Sequence, residues 1–250
     1  MEKRSKIVAS HQPHFFPWLG YYDKMAKADL FLINDVAQLE RKSPMVRNKI
    51  LDREGKERFI NVIVDKSMYM EKQNREILLL DWGSTKKTLI GKIKDGYFQS
   101  EYFDEIWPLV EAILENDYNR LIDLDIETIE MGRRCLDIST PIVFQSSLTY
   151  KEGKNTSEKL AEKLASVDTK IYLSGIGGKK YMDLSDYSNR GINVVFQTFS
   201  YPIYSQISSE TFIPNLSFLD FIFNCGINKS REIFWENVHS SKEIMSLIQG

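Results

Sequence analysis

Cysteine, histidine and net charge are all scarce in this chain. Its two cysteines, Cys135 and Cys225, stand far apart with no CxxC spacing, which excludes a thiolate zinc site and a disulfide framework. With 33 Lys and Arg against 35 Asp and Glu, interspersed along the sequence, no basic field exists to hold a phosphate backbone. Nucleic acid is therefore not an expected partner. Long apolar runs are lacking too. The opening MEKRSKIVAS has a basic start but too short an apolar run for the core of a signal peptide, and no stretch is long enough to span a bilayer. The cytoplasm is the expected location, with no membrane span.

What is present is the makings of an ordinary core. At 250 residues, 42% of them hydrophobic and 27% charged, the expected organisation is one domain over residues 1–250 with a helical insertion at 84–136. Strand-length apolar runs alternate with helical patterns. Residues 6–10 (KIVAS) and 29–34 (DLFLIN) read as buried strands flanking a helix over 17–28 that begins at Pro17. Residues 58–65 (RFINVIVD) and 76–81 (EILLLD) read as further strands, and two or three helices fill 84–136. Cys135 falls on the apolar spacing of the last of these, as a small core residue. Residues 141–146, 170–173 and 193–199 are strands of the second half, with a helix over 155–165 that Asn155 caps and Glu158 follows three residues on. This alternation predicts an α/β fold, a mostly parallel sheet with helices on both faces.

Such sheets bind ligands where their strands end. His11 and Gln12 follow the first strand, Asp35 the second, Gln145 to Ser147 a later one, and SGIGGKKY another. His11, oriented by Asp35, could serve as a general base; a core imidazole tied to a carbonyl is the structural alternative. Asp35 could equally close a turn. His14, in the extended segment ahead of Pro17, is expected at the surface or as a cap, and His239 carries little weight. Arg47 and Asn48 (MVRNKI) suit recognition of an anion, or a surface ion pair. Gly175, Gly177 and Gly178, with Lys179 and Tyr181, could cradle phosphate with backbone amides or simply turn the chain. Their spacing fits neither a P-loop nor a dinucleotide fingerprint. Cys225 is a further candidate nucleophile, paired with His11. It sits just before Gly226, which is expected to stop an apolar helix, and the negative end of that helix dipole argues against activating the thiol. No cluster of carboxylates, or of His and Cys, suggests a metal.

Five blocks, HQPHFFPWLGYYDKMAKADLFLINDV, RNKI, YLSGIGGKKYMD, GINVVFQTF and FIPNLSFLDFIFNCG, together resemble the WbqC-like family. The HQP element falls on His11 and Gln12, and the PWLGY aromatic on Trp18. The Asp after the second strand is Asp35, the RN pair is Arg47 and Asn48, and the SGxGG glycines are Gly175, Gly177 and Gly178. The FQ amide is Gln197. The chain departs from the family pattern at His14, Pro44 and Tyr201, which bears on substrate identity. Members are associated with loci for O-antigen and other surface polysaccharides or glycoconjugates. The resemblance thus implies an enzyme acting on an activated sugar, one that transfers an acyl or aminoacyl group to the amine of an amino-sugar nucleotide. Its anionic substrate needs no cofactor or metal; an acyl thioester of coenzyme A or of an acyl carrier protein is the co-substrate. A glycosyl-transferring or hydrolytic enzyme on the same substrates, or a non-catalytic scaffold of the assembly pathway, are the alternatives.

Overall fold

A computed structural model describes residues 5–40, 42–65, 67, 69–207 and 209–241; the basic opening at 1–4, part of the signal-peptide reading, lies outside them. The central sheet is five-stranded and wholly parallel. Its strands are β1 (Ile7–His11), β2 (Leu30–Ile33), β5 (Ile142–Phe144), β6 (Ile171–Ser174) and β7 (Asn193–Phe196), in the spatial order β5-β2-β1-β6-β7. Register places Ser10 opposite Leu32 and Val8 opposite both Leu30 and Tyr172.

Side chains alternate between the two faces, as the pleat dictates. Ile7, Ala9, Phe31, Ile33, Ile171 and Leu173 enter a large core shared with α1 (Leu19–Ala26), α4 (Leu121–Cys135) and α7 (Phe218–Ser240). Val8, Leu30, Leu32 and Tyr172 enter a smaller one under α5 (Thr156–Ala165) and α6 (Leu184–Ser188). Both faces are thus covered, which explains the near-continuous apolar runs of the strands.

Between β2 and β5 the chain makes an antiparallel hairpin, β3 (Arg47–Leu51) with β4 (Glu57–Asn61), and then α2 (Trp82–Tyr97), α3 (Phe103–Glu115) and α4. Three helices fill the segment, as expected. Several boundaries differ from the sequence reading. Helix α1 begins at Leu19, because Trp18 is extended (φ −80°, ψ 162°) and acts as the N-cap, leaving Pro17 outside. The run at 58–65 supplies only the short hairpin strand β4, away from the main sheet. Residues 76–81 form no strand among the described residues: after a 3-10 turn at Asn74–Glu76 they make single bridges, Leu78 to Arg120 and Val64 to Leu79. Ile77 is buried while Leu78 and Leu80 are exposed, so the segment keeps a strand's alternation without a continuous partner. Gly226 kinks α7 rather than ending it, with φ 69° and ψ 167°, a conformation favouring glycine. Glu105 accepts from the Ile227 amide where the helix restarts. The capping box at Asn155 is half made: its side chain accepts from Glu158 N, but Glu158 reaches back to Lys154 N.

Candidate functional site

From β1 the chain winds outward through β2 to β5, crosses back to β6, and winds outward again to β7. The direction reverses between β1 and β6. A parallel sheet parts its loops at such a point, and a cleft of about 330 Å³ opens there, at the carboxyl ends of the two strands. Ser10, His11 and Gln12 line it from the end of β1, Asn34 from beyond β2, and Ser174, Gly175, Gly177 and Gly178 from the end of β6. Tyr181 and the exposed Ile176 stand near its mouth.

Lys24 gives the cleft its charge. It lies on α1, 2% exposed, and its ammonium donates to Ser10 O at 2.9 Å. Among the described residues no carboxylate pairs with it: the neighbouring Asp23 accepts instead from Lys27 Nζ at 2.8 Å and Gln197 Nε2 at 2.7 Å. Burial pulls the Lys24 amine down to about 7 from 10.5. A side chain built on Gly175 would come within 3.8 Å of that nitrogen, so the lysine lies against the start of the glycine turn. The sequence carried a signal for Lys24: it falls on helical spacing between the buried Tyr21 and Ala28.

Beside it His11 Nδ1 is 3.2 Å from Gln12 O. If Nδ1 carries the proton of that contact, Nε2 is left with a lone pair, the tautomer a base requires. Burial, Lys24 and His14 all lower its pKa, so the imidazole is neutral at neutral pH. His14 is buried, contrary to the surface position expected for it. Its ring meets His11 edge-on at 4.5 Å and lies 5.2 Å from Tyr21, and burial together with Lys24 pulls its pKa to about 3. The chain turns inward there because Phe15 and Phe16, both fully buried, draw the segment into the core.

Asp35 does not meet His11. Its Oδ1 accepts from Ser146 N at 2.9 Å, and it lines a different hollow. Successive residues after a strand face opposite sides, so Asn34 takes the cleft and Asp35 turns away from it. Five other candidates do not line the cleft. Asn48 Nδ2 donates to Phe16 O at 2.6 Å, and Gln197 Nε2 to Gly20 O at 2.8 Å. Trp18 packs edge-on against Phe199 at 5.5 Å and covers Gly20, which any side chain would drive into its ring. Arg47 lies over the Phe59 ring on the hairpin, 4.6 Å away. Lys179 likewise sits over Phe196, at 4.9 Å. Neither lines the cleft. Cys225 lies at the α7 kink, also outside the cleft, and burial with Asp220 pushes its thiol up to about 11. It is not a thiolate and not beside His11.

Among the described residues no group of three or more His, Cys, Asp or Glu could hold a metal ion, and no helix is long and apolar enough to cross a membrane.

An uncharacterized protein of Mycobacterium tuberculosis, Rv1507c, is 29% identical over 226 residues, covering 88% of this chain and 94% of the relative. No solved structure matches the chain. The model of the WbqC-like protein family matches residues 12–232, a span that includes the cleft-lining groups other than Ser10 and His11. On that match the chain belongs to the WbqC-like protein family.

Proposed function

We propose that the chain is a transferase of surface polysaccharide or glycoconjugate biosynthesis that moves an acyl or aminoacyl group from a thioester to the amine of an activated amino sugar. One observation carries this reading: a buried lysine without a carboxylate partner sits beside a neutral histidine in a cleft at the sheet's switch point. An unpaired buried cation costs free energy that an incoming anion relieves. A phosphate of the activated sugar or of the donor meets Lys24 and the Ser10 and Ser174 hydroxyls. An anion there also raises the proton affinity of His11, moving a weak base toward the working range. The amine nitrogen then attacks the thioester carbonyl. The new N–C bond forms as the C–S bond breaks, and His11 takes the proton from the amine and returns it to the departing thiolate. The backbone amides of Gly175 and Gly177 border the same space and suit the developing oxyanion, whereas Gly178 N is already given to Gly175 O.

A thermal-shift screen with nucleotide sugars and coenzyme A thioesters, with and without chelator, tests the reading. A ligand at about 100 times its Kd stabilises the fold by roughly 2.7 kcal/mol. The expected result is a chelator-insensitive shift that Lys24→Met abolishes. Shifts from no phosphorylated ligand, or shifts that survive Lys24→Met, overturn it.

A further inference from the structure

A second hollow, of about 430 Å³, opens at the carboxyl ends of β2 and β5. Asp35 lines it and is 2% exposed. One of its oxygens is taken by Ser146 N, and Oδ2 has no partner among the described residues. Lys163 of α5 acts on it through charge, but its ammonium makes its hydrogen bond to Gln145 Oε1 at 2.9 Å and none to Asp35. A largely buried carboxylate with one oxygen free of hydrogen bonds can accept from a cationic group that enters the hollow.

The rim specifies which cation. Arg75 and Arg120 stand there, and both are exposed. Arg120 is held by Asp123 through two hydrogen bonds of 2.9 Å. Arg75 has a single side-chain contact, Nε to Gln73 Oε1 at 2.9 Å, which leaves its two terminal nitrogens for a ligand. Asp123 neutralises Arg120, so Arg75 keeps an open positive charge at the mouth while Asp35 lies buried within. That arrangement favours a molecule that carries its positive charge inward and its negative charge outward. Between the two poles the wall is apolar, formed by Ile122, Ile126 and the Phe144 ring. Glu127 of α4 adds a third acidic group beside Asp35 and Asp123, and an ammonium near Phe144 would gain from its ring face.

We propose that this hollow binds a free α-amino acid with an apolar side chain, its ammonium on Asp35 and its carboxylate at Arg75. Deep carboxylate, outer guanidinium and apolar wall match the three parts of such a molecule. The proposal stands independently of the transferase reading, since no residue lining this hollow lines the cleft.

The test is isothermal titration of the full chain with L-leucine and L-phenylalanine, and with N-acetyl-L-leucine and L-leucinamide, which lack the ammonium charge and the carboxylate. At least one amino acid is expected to bind. Losing the ammonium weakens the complex by roughly tenfold or more, and losing the carboxylate weakens it less, because Arg75 is exposed. Asp35→Asn keeps an oxygen acceptor for Ser146 N and should reduce amino-acid affinity by a similar factor. Arg75→Ala changes only a surface side chain and should close the gap between leucine and leucinamide. Lys24→Met should leave leucine binding intact while abolishing phosphate-dependent shifts, which separates this site from the cleft. The proposal fails if neither amino acid binds, if N-acetyl-L-leucine binds as well as leucine, if folded Asp35→Asn keeps full affinity, or if Arg75→Ala leaves the gap unchanged.

Discussion

Two hollows share one edge of the sheet and carry opposite charges. The cleft between β1 and β6 contains a buried cation, Lys24, with no carboxylate paired to it; the hollow between β2 and β5 contains a buried carboxylate, Asp35, that no cation hydrogen-bonds among the described residues, although Lys163 acts on it through charge. Asn34 and Asp35 are consecutive, yet each lines a different one. A hydrogen-bond chain from Lys163 through Gln145 to Ser10 runs from beside Asp35 to the cleft. Charge left unpaired in the interior is expensive, and pairing Lys24 with Asp35 would have been the cheaper arrangement for stability alone. Keeping them apart leaves two hollows of different charge.

The largest expected effect tests the cost of the cation. Between pH 7 and 10.5 the unfolded chain holds a proton on Lys24 that the folded chain does not, so stability rises with pH across that window and the penalty is complete below pH 7. Lys24→Met should therefore stabilise the fold by up to about 4 kcal/mol at pH 6, and by much less at pH 10. Urea unfolding at the two pH values measures this, and an equal effect at both would show that the amine is not desolvated.

Next in size is Asn48→Leu, which removes the amide that holds Phe16 O and tests whether this residue supports the cleft wall rather than touching ligand. A loss of about 1–3 kcal/mol in denaturant unfolding is expected, with the phosphate-ligand affinity of the remaining folded protein kept. Unchanged stability with weakened binding would return Asn48 to the binding surface.

His14 sharpens the comparison from the acid side. Its folded pKa of about 3 lies below the ordinary 6.5, so the unfolded chain binds the extra proton and stability falls as pH drops from 6.5 toward 3. At pH 5 this contribution is about 2 kcal/mol, and His14→Gln should flatten the acid limb of the stability curve by that amount. A parallel pH dependence in the variant would place the titration on other groups. The smallest effect is expected at Cys225. Cys225→Ala should cost about 1 kcal/mol of stability and leave phosphate-ligand binding unchanged in a titration; a lost turnover or an acyl thioester trapped on Cys225 would reinstate the thiol.

The parallel sheet and its strand ends were legible in the sequence, because buried strands flanked by helices leave continuous apolar runs and polar residues gather just beyond them. His11, Gln12 and the SGIGG glycines were found that way, and the structure brings them together. Lys24 does not stand out in the sequence because a lysine in a helix is ordinarily a solvated one; here Lys24 and Lys27 are both buried, and what sets Lys24 apart is that Asp23 pairs with Lys27 instead. Asp35 lies at the expected edge of the sheet but meets Ser146 rather than His11. Periodicity marks where a strand ends, yet which side of a loop a residue faces depends on the residues packed behind it, here Ser146 for Asp35. Asn48 and Gln197 show the converse: buried amides beside a site hold its backbone as often as they hold its ligand.

Pyrophosphate, the group common to nucleotide sugars and coenzyme A, addresses the division of charge most directly. Its Kd should be measured at constant ionic strength for the wild type, Lys24→Met and Asp35→Asn. The account predicts binding to the wild type, a loss of roughly tenfold or more in Lys24→Met, and no weakening in Asp35→Asn. Binding that persists in Lys24→Met, or that disappears in Asp35→Asn alone, would contradict it.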